Sequence, residues 1–189
     1  MKKIMLSTMV LASVALLSFT PKTGKKDATT FTVDAAKSKI DFTGSKTSDF
    51  HTGYFPVKSG SIKVDGGKLA GGSFVIDVAG IKVTDGAGDN LAKHLMSADF
   101  LDAINFGEAT FVINTVNYTR ADRATITGDL TLHGIKAPIT FTSYIRSVDP
   151  AKGFFAEAFF SLDRTVFGVK YGIGAIDSDV QLAIHLYGK

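Results

Sequence analysis

An alternating segment between residues 123 and 148 constrains the fold of this chain most strongly. Apolar and threonine side chains alternate on both sides of Gly134, and the apolar positions are Ile126, Leu130, Leu132, Ile139 and Phe141. Strict alternation is typical of a strand with one buried face, and a glycine between two such runs is typical of a tight turn. The segment therefore predicts an antiparallel hairpin that bends near Gly134.

The same pattern of short alternating runs, separated by Gly, Asp and Asn turns, continues from residue 31 to the end of the chain. It predicts an all-β fold, a sandwich or a barrel, because there is no room for repeated crossover helices. About eight to ten strands can close a barrel. The predicted strands span residues 31–34, 38–45, 53–58, 61–66, 68–80, 108–118, 123–133, 138–148, 153–163 and 178–187.

One helical insertion is predicted over residues 90–100. Leu91 and Leu95 share one face at helical spacing, and Asp89 or Asn90 is the expected N-cap. We interpret this helix as a lid at the mouth of the barrel, formed by Leu91, His94, Leu95 and Phe100.

The first 30 of the 189 residues differ from the rest in composition. Met1-Lys2-Lys3 and the apolar run from Ile4 to Phe19 predict a signal peptide over residues 1–20, because the run is shorter than the ~20 residues of a membrane span. An uncleaved anchor or a buried strand is the alternative. A flexible linker is predicted over residues 21–30 and one domain over residues 31–189. We expect a periplasmic or secreted protein.

Composition narrows the function further. The chain has no cysteine, which excludes disulfides, thiolate metal sites and a lipid-anchored N-terminal cysteine. Without Lys2 and Lys3 of the predicted leader, 19 basic residues face 18 acidic ones, and this balance argues against a nucleic-acid partner.

Catalytic and metal-binding patterns are missing as well. His51, His94, His133 and His185 are scattered without metal-ligand spacing, and we interpret Asp85 to Asp89 as a turn rather than a calcium loop. No nucleophile motif is present. We expect neither an enzyme, a metal nor a cofactor.

Several motifs resemble those of one family. The run Gly-x-Leu-Thr-x-His-Gly at residues 128–134, followed by Lys-x-Pro, and the run Asp-Arg-Thr-Val-Phe-Gly at residues 163–168 are similar to signatures of the YceI-like family. Residues 53–62 resemble its second hairpin, and the whole likeness covers about residues 31 to 188. Phe31 and Asp163 depart from this pattern, since many members carry Trp and Asn there.

The resemblance implies a lipocalin-like β-barrel that binds isoprenoid or other long-chain lipids. The ligand would be polyisoprenoid or fatty-acyl, in a monomer or weak homodimer that could contact a membrane surface transiently. Strand parity predicts an apolar interior, and its expected ligand-binding residues are Phe42, Phe74, Ile76, Phe111, Ile113, Leu130, Leu132, Phe141, Phe160 and Leu182.

Composition alone allows a different interior, namely a filled core in a stress-protective or scaffold protein that acts through its surface. A weaker alternative is a hydrolase or isomerase acting on a bound lipid. Arg164 has two candidate roles: it could hold an anionic head group, or it could pair with a structural carboxylate such as Asp177 or Asp179.

Overall fold

Ten strands and one short helix make up the part of the chain that the computed structural model describes, residues 28–189. The predicted signal peptide and most of the predicted linker lie outside the described residues. The elements are β1 (Thr29–Thr32), β2 (Lys39–Lys46), β3 (Asp49–Asp65), β4 (Lys68–Asp77), β5 (Lys82–Val83), α1 (Gly88–Met96), β6 (Glu108–Arg120), β7 (Arg123–Leu132), β8 (Ile135–Asp149), β9 (Gly153–Asp163) and β10 (Ile176–Gly188).

Eight of these strands close an antiparallel barrel. Their order is β3-β2-β10-β9-β8-β7-β6-β4, and β4 pairs back with β3. β3 closes the ring because its first half pairs with β2 and its second half pairs with β4. The short strands β1 and β5 add to the two remaining edges of β3. The prediction of a single antiparallel β-barrel with a short helical insertion is confirmed.

The predicted hairpin at residues 53–62 is wrong, because β3 runs without a turn from Asp49 to Asp65. Its pairing with β4 shifts register between Val57 and Ser59, and this bulge interrupts the alternation that marks a strand in the sequence. Gly60 is needed for close packing rather than for a turn. A Cβ atom there would lie 2.9 Å from the ring of Phe74.

The helix begins earlier and ends earlier than predicted. Ala87 precedes the first turn and forms no side-chain cap, so the predicted N-cap at Asp89 or Asn90 is wrong. Asp89 lies in the first turn instead, where its charge favours the helix N-terminus. The helix ends at Met96, since Ser97 is extended and its hydroxyl donates to the carbonyl oxygen of His94. Phe100 therefore lies in the turn that follows.

The two ends of the barrel are built differently. At the mouth end lie residues 47–48, the connection 78–107 that contains α1, residues 133–134 and residues 164–175. At the closed end lie the tight turns 66–67, 121–122 and 150–152. The closed end is packed by Phe31, Ile62 and Phe154, all buried, with the rings of Phe31 and Phe154 6.2 Å apart.

Candidate functional site

The barrel encloses an apolar cavity of about 290 Å³. Ligand pockets of small molecules commonly measure roughly 300–1,000 Å³, so the cavity lies at the small end of that range. Side chains alternate between the two faces of each strand, and one apolar parity of every barrel strand points inward. The interior is therefore hollow from the mouth end as far as Phe154, and Phe31 and Ile62 fill the closed end beyond that ring.

Nine of the ten predicted ligand-binding residues line this cavity. They are Phe42, Phe74, Ile76, Phe111, Leu130, Leu132, Phe141, Phe160 and Leu182. Ile113 packs against the core but lies outside the lining, at the point where the pairing of β6 with β7 shifts register. That these side chains bind a ligand stays a prediction.

Small inward residues, which the prediction missed, create the space. Ala109, Ala156 and Ala158 are buried and line the cavity, and Gly44 lines it near the mouth. Strand parity could have identified both alanines of β9, because they lie on the same face of the strand as Phe154 and Phe160. A core predicted from strand parity consists mainly of large apolar residues, whereas a cavity forms where the inward side chains are small.

Four phenylalanine rings form a row along the cavity wall. The ring of Phe74 lies 6.4 Å from that of Phe111, which lies 5.6 Å from Phe141. Phe141 stacks on Phe160 at 4.6 Å with the rings almost parallel. Mutual ring contacts of this kind fix side-chain orientation, so this wall presents a stiff apolar surface to the interior.

Two buried polar side chains of the lining, Ser143 and Arg164, are already hydrogen-bonded. The hydroxyl of Ser143 donates to the carbonyl oxygen of Glu157. The buried guanidinium of Arg164 donates to the main-chain oxygens of Val169 (2.7 Å), Asp177 (3.0 Å) and Ile176 (3.2 Å). Burial lowers the pKa of Arg164, although a guanidinium stays protonated in proteins. The interior thus offers little to a polar ligand group.

Arg164 has a structural role, but not the one predicted. Its partners are three main-chain carbonyls rather than the carboxylates of Asp177 or Asp179. The cation joins the start of β10 to the connection that follows β9, a short 3-10 turn at Arg164–Phe167. Asp163 caps this turn, and hydrogen bonds from the Thr165 hydroxyl and amide lower the pKa of its carboxyl.

Three of the four predicted lid residues, Leu91, Leu95 and Phe100, line the cavity from the helical insertion. His94 lies outside the lining, and its ring meets those of Phe100 and Tyr171 edge-on, each at 5.1 Å. Phe100 and Tyr171 are themselves 4.7 Å apart. These three rings fasten the insertion to the connection between β9 and β10.

Polar contacts fasten the insertion on two further sides. Asp85, just before α1, accepts hydrogen bonds from the amides of Thr52 (2.7 Å) and Ala87 (2.8 Å), and these bonds lower the pKa of its carboxyl. On the opposite side, the ring of His133 contacts Phe106 at 4.9 Å, and its Nδ1 lies 3.2 Å from the carbonyl oxygen of Phe167. These contacts attach the insertion, as a cap, to β3 and to the turn between β7 and β8.

Within residues 28–189, no three His, Asp or Glu side chains are grouped so that they could hold a metal ion. The single α-helix of this region is too short to cross a bilayer.

Fold and site together define a class of protein: a lipocalin-like β-barrel around an apolar cavity. The sequence model of the YceI-like domain matches residues 31–187, and the chain belongs to this family. A UPF0312 protein of Pseudomonas fluorescens Pf-5 is 30% identical, and the alignment covers 94% of this chain and 96% of that protein. A UPF0312 protein of Pseudomonas putida W619 is 41% identical over 100 residues, about half the length of each chain.

Solved structures share the fold. The chain resembles Burkholderia cenocepacia BcnA with a TM-score of 0.72 at 23% identity, covering 83% of this chain and 99% of that one. It resembles a polyisoprenoid-binding domain from Saccharophagus degradans, implicated in plant cell wall breakdown, with a TM-score of 0.66 at 15% identity, covering 84% and 97%. At these identities the likeness establishes the fold alone.

Proposed function

We propose that the barrel binds a long-chain apolar molecule, polyisoprenoid or fatty-acyl in type, and sequesters or transports it outside the cytoplasm. The observation that carries the proposal is the hollow interior: an apolar cavity whose buried polar side chains, Ser143 and Arg164, already have partners. Such a lining favours a hydrocarbon and penalises a buried polar group. The structural likeness to a polyisoprenoid-binding domain supports the same ligand class.

The energetics are adequate for binding. Burial of one methylene contributes about 0.8 kcal/mol, so a five-carbon prenyl unit contributes roughly 4 kcal/mol. Three units give on the order of 12 kcal/mol gross, which association and ordering costs reduce towards micromolar affinity. No reaction is assigned, because binding in this cavity needs none.

Export and brief contact with a membrane belong to the same proposal. The charged start and apolar run of residues 1–20 support export.

Large exposed apolar side chains concentrate at the mouth end, which supports contact with a lipid surface. They are Phe50, Ile104, Ile135, Val166, Tyr171 and Ile173. We propose a monomer or weak homodimer. The alternative, a stress-protective or scaffold barrel with a filled core that acts through its surface, fits less well because the interior is hollow.

A chain-length series tests the proposal. Calorimetric titration of the purified barrel with saturated fatty acids of increasing length should show Kd falling up to about fourfold per added methylene, then levelling off when the cavity is full. Ala158→Phe should shift the plateau to shorter chains, because Ala158 is an inward lining residue. Ala183→Phe is the matched control, since Ala183 pairs with Phe159 on the outward parity. Equal binding by both variants would contradict the proposed site.

A further inference from the structure

The pairing between β2 and β10 is interrupted next to the mouth end. Gly44 pairs with Val180, and the next pair along the two strands is Lys46 with Ile176. One residue of β2, Ser45, therefore faces three residues of β10, residues 177–179. We call this interruption the β2–β10 seam. A bulge of this kind leaves residues unpaired and bends the strand locally.

The seam is held in place from inside the protein. β10 stays paired with β9 here, since Asp179 is the partner of Asp163. The main-chain oxygens of Ile176 and Asp177 accept hydrogen bonds from the buried guanidinium of Arg164. These two main-chain oxygens therefore bond to the Arg164 guanidinium inside the protein. The interruption of the β2–β10 hydrogen-bond ladder is thus stabilised by the fold.

Gly44 leaves open space at this seam. A Cβ atom added at Gly44 would meet no atom within 4 Å, and the residue lines the cavity in ordinary strand conformation. The inward glycines deeper in the barrel are covered by rings: a Cβ at Gly53 would lie 2.6 Å from Phe42, and one at Gly128 would lie 2.5 Å from Phe111. Gly44 therefore adjoins open space, whereas the other two glycines allow close packing.

Polar side chains of the cavity lining gather at the same place. Ser45, Lys46 and Asp177 belong to the seam, and His51 pairs with Gly44 across β2 and β3. Ser143 and Arg164 are buried and occupied by main-chain partners, whereas Lys46 is exposed and the ring of His51, which contacts Asp85, is only partly buried. A bound amphiphile can therefore keep its polar end hydrated only near the seam, because a polar group without a partner is costly inside.

We propose that the β2–β10 seam is the passage into the cavity. A single-chain amphiphile passes its tail beside Gly44 and leaves its polar end among Lys46, His51 and Asp177. The helical cap does not move in this exchange, since ring contacts and the hydrogen bonds of Asp85 fasten it on three sides. This inference rests on the proposed function and adds its route and the position of the head group.

Two engineered disulfides distinguish the seam from the cap. Lys46→Cys with Ile176→Cys joins a directly opposed antiparallel pair across the seam, a geometry that suits a disulfide. Thr52→Cys with Thr84→Cys ties the cap to β3, where the two hydroxyls are 3.2 Å apart. The chain has no native cysteine to interfere. Stopped-flow exchange of a conjugated-polyene fatty acid is measured for each variant, oxidised and reduced.

The seam disulfide should slow probe exchange about tenfold or more, with recovery on reduction, while the cap disulfide leaves the rate within about twofold. Equal rates in the oxidised and reduced seam variant, or equal slowing by the cap disulfide, would overturn the passage. A wild-type protein that binds no probe would overturn the proposed function itself, which is a distinct result.

A side-chain block gives an independent measure. Gly44→Leu places a side chain in the open path and should slow association of the same probe about tenfold. Gly86→Leu is the matched control, because a Cβ there also meets no atom within 4 Å but the residue lies outside the lining. Equal association rates for the two leucine variants would overturn the role of Gly44.

Discussion

The closed end and the mouth end of this barrel use the same strands for opposite purposes. On β9, Phe154 and Phe160 share one inward parity. Both rings border the cavity, but Phe154 is 2% exposed and packs against Phe31, whereas Phe160 is only partly buried and has Phe141 as its stacked neighbour. The difference lies in burial: Phe31 and Ile62 fill the closed end beside Phe154, whereas Phe160 lies nearer the mouth. A single alternating strand can therefore stabilise the fold at one end and line a binding site at the other.

The largest expected effect separates these two rings. Phe154→Ala should lower the free energy of unfolding by about 4 kcal/mol, because its ring is almost fully buried. Phe160→Ala should cost about half as much, since a partly buried ring loses fewer contacts. Urea unfolding of both variants measures the difference. Equal losses would mean that the mouth end is as tightly packed as the closed end.

Arg164 offers the next largest effect. Arg164→Met leaves the main-chain oxygens of Val169, Ile176 and Asp177 without their donor, and we expect a loss of about 3 kcal/mol in unfolding free energy. Arg146→Met is the control: the Arg146 side chain is 45% exposed, and loss of its pair with Glu157 should cost below about 1 kcal/mol. A loss at Arg164 no greater than at Arg146 would show that the cation does not hold the start of β10.

Acid should produce the smallest effect, and at the mouth end. Hydrogen bonds to the carboxyls of Asp85 and Asp163 lower their pKa values in the folded protein. Each group therefore stabilises the fold above its unfolded pKa, and this contribution is lost as the pH falls from about 4 through the lowered folded pKa. Asp85→Asn should flatten the dependence of Tm on pH below about 4. An unchanged slope in thermal melts would contradict this role.

The fold was largely predictable because alternation is a strong signal in half-buried strands. Residues 123–148 show it: β7 and β8 follow the predicted hairpin, with Ile126 and Phe141 as directly opposed partners. The sequence failed where a bulge broke the alternation, as at Val57 and Ser59 in β3. A bulge depends on pairing with a distant strand, which local periodicity does not contain.

The site was predictable in its large residues only. Strand parity identified Phe74, Phe111 and Phe141, because a barrel interior must take one apolar parity. It did not indicate whether that interior is hollow, since this depends on how Ala156, Ala158 and Gly44 combine in three dimensions. The partners of Arg164 could not be predicted from the sequence either. They are main-chain carbonyls, which every residue has, so no sequence motif identifies them.

We propose that the hollow barrel interior holds a long-chain apolar molecule. Native mass spectrometry of the protein purified without detergent from the cells that produce it, followed by organic extraction, would detect that molecule. We predict a mass shift of one long-chain lipid per barrel, released by extraction. A ligand-free mass that does not change after incubation with polyprenyl and fatty-acyl ligands of increasing length would contradict it.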